Sequence, residues 1–392
     1  MSSGTALLHL VFIALMLLLI TGGSITLLAL WFTRGRDPRV MKAATYIEHP
    51  PDDLPPGAAG TLLDEHADRR DIVATLLGLG RHGAVIVQDV GTAAGDTPRK
   101  GHRPGDFTIT VVDPAGVTSH VEKVLLRILF NGDPAPGAEV RLADVRDRFA
   151  AGEPEIRDAL YEAMVIRGYF TVSPVVTRKR WRRGAWIGLA LSTITGLFLT
   201  IRVDPFAILA TIAAAIIFLV LVRMSRAMPQ KTRTGAEAAE QWRAFRRYLA
   251  SIEKYENVNE ASQLFDRYFA YAVAFDLQDK WLKTFARSGA RTPGWFVPVG
   301  DLTGRGDSVG DVIFDAMTMA HWAGHVGGGG GGDMDINLPD IGMPNLPDMG
   351  NVDLQGLSDL AGGSLQGASD GLSALLESAG SIFESIDFDI FD

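Results

Sequence analysis

Two histidines four residues apart, His321 and His325 in HWAGH, have a spacing at which side chains on successive turns of a helix can share a metal ion. The metallopeptidase form of that pattern needs glutamate directly after the first histidine, and Trp322 stands there instead. Gly324 weakens the helix and no third ligand is evident, so the pair reads with Met317, Met319 and Trp322 as one face of a packed or interfacial helix. No G-x-S-x-G elbow occurs, and Gly327 to Gly332 lacks the lysine and the strand–helix context of a phosphate loop, so it reads as a linker. The carboxylate pairs Asp52/Asp53 and Asp64/Glu65 fall in loops or at helix ends and read as solvated or capping groups. The chain has no cysteine, which excludes disulfides, thiolate metal sites and cysteine nucleophiles. No catalytic, cofactor-binding or metal residue is therefore assigned, and no cofactor is expected.

The most basic hexapeptide, RKRWRR (Arg178 to Arg183), has the composition of a nucleic-acid grip, with a tryptophan able to stack on bases. Its surroundings give another reading. Gly184 to Ile201 and Phe206 to Val222 are apolar runs near the minimum spanning length, joined by a short turn that contains Pro205, and Ala6 to Phe32 is a longer one. Lys and Arg collect at Arg34/Arg36/Arg39, at Arg178–Arg183 and at Arg223/Arg226/Lys231/Arg233, whereas the Arg202-Val203-Asp204 loop is nearly neutral. Positive residues favour the cytoplasmic side, so the expectation is a multi-pass protein of the bacterial inner membrane with its N-terminus outside and its C-terminus in the cytoplasm. RKRWRR becomes a topological anchor, with Trp181 and Trp186 suited to the headgroup layer. The first apolar run is too long for a signal-peptide core and lacks preceding basic residues, so it reads as an uncleaved span.

These positions divide the chain into a transmembrane helix (6–32), a first cytoplasmic helix–hairpin unit (40–113), a second winged-helix-like unit (117–177), a transmembrane hairpin (184–222), a cytoplasmic helical domain (235–325), and a Gly-rich linker with an acidic tail (326–392). In the first unit, Ile72, Val73, Leu76, Leu77 and Leu79 have helical spacing ended by Gly83, and AVIVQDV and FTITVVD read as a hairpin. LGLGRHGAVIV and EAMVIRGYFTV share one order, in which a helix closes on a basic residue and glycine before an apolar strand begins. EVRLADVRDRF reads as a short strand and a helix, and EPEIRDALYEAMVIRGYFTVSP as a further helix, a glycine and a strand. Winged helices often bind DNA, but residues 40–177 carry 14 basic and 20 acidic side chains, the wrong sign for phosphate. In the later domain Trp242, Phe245, Leu249 and Ile252 step by 3, 4 and 3 on one helix face. The aromatics Phe265, Tyr268, Phe269, Tyr271, Phe275, Trp281 and Phe285 read as the core of packed helices rather than a binding surface.

PPDDLPPGAAGTLLDEHADRRDIVATLLGLGRHG, RAFRRYL, and LFDRYFAYAVAFDLQDKWLKTFA followed by GWF resemble the YciQ-like family of predicted bacterial membrane proteins, over about residues 30 to 300. The resemblance implies a domain of unknown function with the same late transmembrane hairpin, and no established reaction or catalytic residue. Members usually carry a signal peptide and an extracytoplasmic β-domain before the first anchor, most of which is missing here. Phe275-Asp276 stands where the family tends towards Leu-Gly.

Residues 326–392 hold twelve acidic side chains and no Lys or Arg; the chain as a whole carries −9, so the part before them is +3. LPDIG and LPDMG repeat eight residues apart in a stretch whose proline and glycine forbid regular helix. Leu372, Leu375, Leu376, Ala379, Phe383 and Ile386 then trace a helical stripe with Asp370 as its N-cap. Such a tail is either a solubilising segment or a tethered ligand for a groove. The expected architecture is mostly α, with three transmembrane helices and α+β cytoplasmic modules. The expected role is a membrane-anchored interaction or regulatory scaffold whose partners are lipid and unidentified proteins, with homo-oligomerisation open and nucleic acid disfavoured. A membrane-tethered DNA-binding regulator and a metal-dependent hydrolase using His321 and His325 are the alternatives.

Overall fold

Helices α1 (Ser3–Arg34), α6 (Pro174–Arg202) and α7 (Ala207–Met224) are long and apolar enough to cross a membrane, and α7 packs against both others. The computed structural model describes residues 3–41, 45–89, 107–252, 261–287, 292–297 and 365–384. Leu7, Leu18, Ile25, Leu191, Ile194 and Phe198 all point outward, which suits hydrocarbon and would be costly in water. Small residues bring the spans together: a Cβ on Gly196 would stand 2.0 Å from Thr211 Oγ1, and one on Gly188 would stand 2.2 Å from Phe218. Threonine hydroxyls along the spans donate back to carbonyls four residues earlier, as from Thr26 to Gly22 O at 2.8 Å and from Thr200 to Gly196 O at 2.8 Å, so these groups are satisfied without water. The mostly α membrane architecture with three spans read from the sequence is observed.

The remaining elements form a body beside the bundle. Its helices are α2 (Pro56–Asp64), α3 (Arg69–Arg81), α4 (His120–Phe130), α5 (Arg146–Ile166), α8 (Arg233–Ala250), α9 (Ala261–Ala274), α10 (Gln278–Arg287) and α11 (Leu365–Glu384). Strands β1 (Val85–Asp89), β2 (Phe107–Val111), β3 (Glu139–Arg141) and β4 (Phe296–Val297) lie in the order β3-β2-β1-β4. β1 and β2 are antiparallel, with Val87 opposite Ile109, while β4 joins β1 in parallel through Phe296 opposite Val87. A single cluster of buried apolar side chains runs from Leu54 and Leu76 through Ile109, Leu125 and Leu160 to Trp242, Phe269 and Trp281. The aromatic run of α9 and α10 lies inside it, from Phe265 to Phe285, as helical spacing implied.

The structure departs from the sequence reading at three places. α5 runs unbroken through Gly152 and Pro154; Gly152 lies where α5 crosses α4, since a Cβ there would meet Ile128 at 2.7 Å. The strand expected after Gly168 is reduced to one bridge, between Phe170 and Lys231, because its neighbour is a short segment leaving the membrane rather than a hairpin partner. Asp370 is not an N-cap: α11 begins at Leu365 and carries Asp370 inside it. The buried stripe of α11 comprises Leu372, Leu375, Ala379 and Ile382, with Leu376 at its edge. The Phe383 side chain, Ile386, and His321 and His325 lie outside the described residues.

Candidate functional site

Where the chain leaves the membrane, three connections meet at one buried cation. The Lys231 side chain is 2% exposed, and its Nζ pairs with Asp37 Oδ2 at 3.3 Å and with Glu65 Oε1. Its backbone N–H donates to Asp37 Oδ1 at 2.8 Å, and the ammonium lies 5.6 Å from the centre of the Phe170 ring. Asp37 follows α1, Lys231 follows α7, and Glu65 closes α2 in a left-handed conformation (φ 68°). The third connection is α6 itself, whose Arg178 Nη2 donates to Glu65 O. Arg178 is buried, with its Nε and Nη1 lacking hydrogen-bond partners among the described residues. RKRWRR is thus split in function: Arg178 is sealed into the body, while Lys179, Arg180 and Arg183 are exposed. Trp186 is exposed, as an interfacial residue would be.

Ahead of α2, PPDDLPP is clamped by side chains from distant elements. Asp52 Oδ1 accepts from Leu54 N at 2.8 Å, fixing the turn. Its Oδ2 accepts from Tyr169 OH and from Trp242 Nε1, the latter at 3.4 Å. Tyr271 OH donates to Leu54 O at 3.0 Å, and His49 Nδ1 lies 3.0 Å from Tyr268 OH. Asp53 pairs with Arg167 Nη2 at 2.9 Å, and this hydrogen bond and charge hold its carboxyl below the usual aspartate range. Burial, followed by the Asp52 hydrogen bond, raises the Tyr169 phenol, and burial pushes Tyr271 up to about 12. These tyrosines are neutral donors, built to hold a strand of chain rather than to exchange protons. Asp52 and Glu65, expected as solvated or capping groups, instead tie together elements far apart in sequence.

The second acidic pair joins another buried group. Asp71 is wholly buried between α2 and α3, where Oδ2 accepts from Thr61 Oγ1 at 2.9 Å and from Asp68 N at 3.0 Å. Desolvation first, and the neighbouring Asp64 second, raise its pKa well above the ordinary value; burial raises Asp64 as well. The glycines of α2 make the fit possible, since a Cβ on Gly60 would fall 2.0 Å from Asp71 Oδ1. Among the described residues no group of three or more His, Asp or Glu side chains is arranged to hold a metal. His82 pairs with the buried Glu122 at 3.1 Å in the manner of a base oriented by an acid, but its other ring nitrogen lies 2.8 Å from Arg81 Nη2. Glu122 Oε1 has no hydrogen-bond partner among the described residues, so the pair is an ion-pair contact and not an oriented acid–base dyad.

The remaining site is a groove that already holds a helix. α11 packs on α10, α3, α5 and the 3-10 turn at Leu142–Val145, with Leu372, Leu375 and Ala379 each no more than 1% exposed. Gly371 brings the helix against the sheet, for a Cβ there would lie 3.1 Å from Asp89 Oδ2 and 3.2 Å from Phe296. At the other end Arg146 Nη2 donates to Ser381 O at 3.5 Å. The 3-4-3 apolar spacing carries this helix in the sequence; the surface that receives it is assembled from elements as far apart as α3 and α10 and has no local signature.

No curated protein and no solved structure shows significant similarity to the chain. The family description "predicted membrane protein (DUF2207) C-terminal domain" matches residues 43–285, from just before the clamped PPDDLPP segment through α10. The YciQ-like resemblance read from the motifs is thereby borne out. That match covers well over half of the chain, which therefore belongs to the DUF2207 family of predicted membrane proteins.

Proposed function

We propose that the protein is a membrane-anchored interaction or regulatory scaffold, with its N-terminus outside and its body in the bacterial cytoplasm. The orientation rests on the exposed cations that flank one end of the bundle, including Arg34, Arg180, Arg183 and Arg223, against the near-neutral turn at Arg202-Val203-Asp204. The observation that carries the role is α11: the body binds an amphipathic helix by burying Leu372, Leu375, Ala379 and Ile382, the mode by which grooves recruit helical segments of other proteins. Elsewhere in the body, buried carboxylates and neutral phenols hold elements together, which suits a rigid docking platform.

The reading is tested by removing residues 327–392 and comparing the proteins labelled by a proximity enzyme fused to the body. An altered partner set is expected once the groove is empty, and an unchanged set sinks the scaffold reading. Protease added to intact spheroplasts checks orientation independently: cleavage between α1 and α6 would reverse it.

A further inference from the structure

We propose that the basic end of the α6–α7 seam is a binding site for the phosphate headgroup of an anionic phospholipid, held by Arg178 and Arg182. The site does not depend on the scaffold role, since it needs only the spans and the cations at one end of them. Three observations lead to it. First, the face of α6 that meets α7 runs on into cations. Gly188 and Gly196 bring α6 against Phe218 and Thr211 of α7, and Ala185 on the same face is buried. Arg182, Trp181 and Arg178 stand three, four and seven residues before Ala185, so helical spacing puts them on that face too. Arg178 is buried, and Trp181 and Arg182 are half-buried. The far side of the seam here is the 3-10 turn Ser225–Ala227 that ends α7 and still packs against α6.

Second, the charge of Arg178 is not compensated from within the described residues. Its Nη2 donates to the Glu65 carbonyl, while the Glu65 carboxylate serves Lys231, and its Nε and Nη1 have no hydrogen-bond partner. A buried cation without a facing anion is strongly unfavourable. Its neighbourhood supplies none: residues 34–39, 178–183 and 223–226 hold ten Lys and Arg against one acid, Asp37, which pairs with Lys231. In the body, by contrast, Arg70, Arg127, Arg157 and Arg243 each reach a carboxylate. Third, depth selects the source of the missing anion. The apolar run of α6 begins at Gly184, so Arg182 and Arg178 stand roughly 3 and 9 Å outside the hydrocarbon, at the level of lipid phosphates. Trp31 and Trp186, both exposed, flank that level as interfacial aromatics do. A phosphate diester accepts charge-assisted hydrogen bonds from guanidinium groups, and a headgroup without a cation of its own escapes repulsion by the surrounding arginines.

The test is native mass spectrometry of the full-length protein released from nanodiscs that hold equal amounts of phosphatidylglycerol and phosphatidylcholine. The ratio of the two lipids in the singly lipidated protein is the readout, and phosphatidylglycerol should dominate it. Arg182→Gln should lower that ratio about fivefold, whereas Arg34→Gln, which removes an equal charge from the exposed part of the same collar, should lower it by no more than about twofold. Arg178→Gln should act like Arg182→Gln; should it fail to fold, the half-buried Arg182 carries the comparison alone. Equal losses in Arg182→Gln and Arg34→Gln would report diffuse attraction to the collar and overturn the site. A wild-type protein that retains both lipids equally also overturns it. Excess inorganic phosphate should leave the phosphatidylglycerol complex intact, and its displacement would show a site for soluble phosphate instead of lipid.

Discussion

The body is attached to the rest of the chain in two chemically contrasting ways. At the membrane it is fixed by buried charge: Lys231 joins Asp37 and Glu65, and Arg178 caps the end of α2. At the tail it is covered by a helix that offers leucine, alanine and isoleucine and brings no cation. Buried ions demand exact partners, and removing one leaves the others desolvated and unpaired. An apolar seat demands only shape and can be vacated without stranding a charge. The first attachment therefore suits a permanent junction, the second a replaceable one.

The largest effect should come from breaking the junction. Lys231→Met leaves Asp37 and Glu65 without their cation and is expected to destabilise the protein by about 3 kcal/mol, read as a lowered denaturation midpoint in detergent. Adding Asp37→Asn and Glu65→Gln to that variant should recover much of the loss, because the penalty arises from unpaired charge. A single substitution as mild as one on an exposed surface would show that the junction is not the permanent attachment.

The tail seat should respond locally. Leu375→Ala removes a fully covered side chain from α11 and should weaken docking by about 2 kcal/mol. Because the body keeps its own core, the result expected is roughly thirtyfold lower hydrogen-exchange protection confined to residues 365–384, with the global midpoint unmoved. Global unfolding would make α11 part of the core rather than a replaceable cover, and the contrast would fail.

Buried charge within the body also predicts a pH dependence. The folded-state pKa of Asp71 lies well above the unfolded value, chiefly through desolvation, so its contribution to stability is present in acid and is lost as pH rises through the raised pKa. Asp64, which faces it, shifts in the same direction, whereas Asp53 beside Arg167 shifts in the opposite one and favours the fold above its ordinary range. Asp71→Asn isolates one group. Relative to wild type the variant should gain about 1.4 kcal/mol for each pH unit crossed between the ordinary aspartate pKa and the raised one. Urea titrations from pH 4 to 7 measure that difference, and parallel curves would remove Asp71 as its source.

The same contrast separates what could be read from the residues alone. The spans follow from length and apolarity, and Trp242, Phe245, Leu249 and Ile252 announced a core face by spacing; all four are buried. α11 was half legible, since its stripe is local but its groove is not. The junction was illegible because a lysine beside a span already has a sufficient explanation in membrane topology, and pairing with Glu65 spans 166 residues. β4 escaped notice for a similar reason: two residues, Phe296 and Val297, gain strand character only by meeting β1. The helical segments read in EVRLADVRDRF and EPEIRDALYEAM are one helix, since tertiary packing carries α5 through Pro154, a residue that usually ends helices.

The smallest effect tests the value of an ion pair once it is exposed. Asp276 follows α9 with φ 63°, and Leu277 N reaches back to Ala272 O at 2.8 Å, a helix terminus that favours glycine. The resembled family tends towards glycine here, so aspartate carries a backbone strain that its ion pair must offset. That pair joins Asp276 Oδ1 to Arg70 Nη1 at 3.3 Å, with both side chains well exposed, unlike Lys231. Solvent screening leaves such a pair worth little, while relief of the left-handed strain is worth about 1 kcal/mol. Asp276→Gly should therefore stabilise the protein by about 0.5 kcal/mol despite deleting a salt bridge, raising the midpoint slightly at both low and high salt. A loss that disappears at high salt would mean that the exposed pair outweighs the strain, and that burial is not what distinguishes the junction at Lys231.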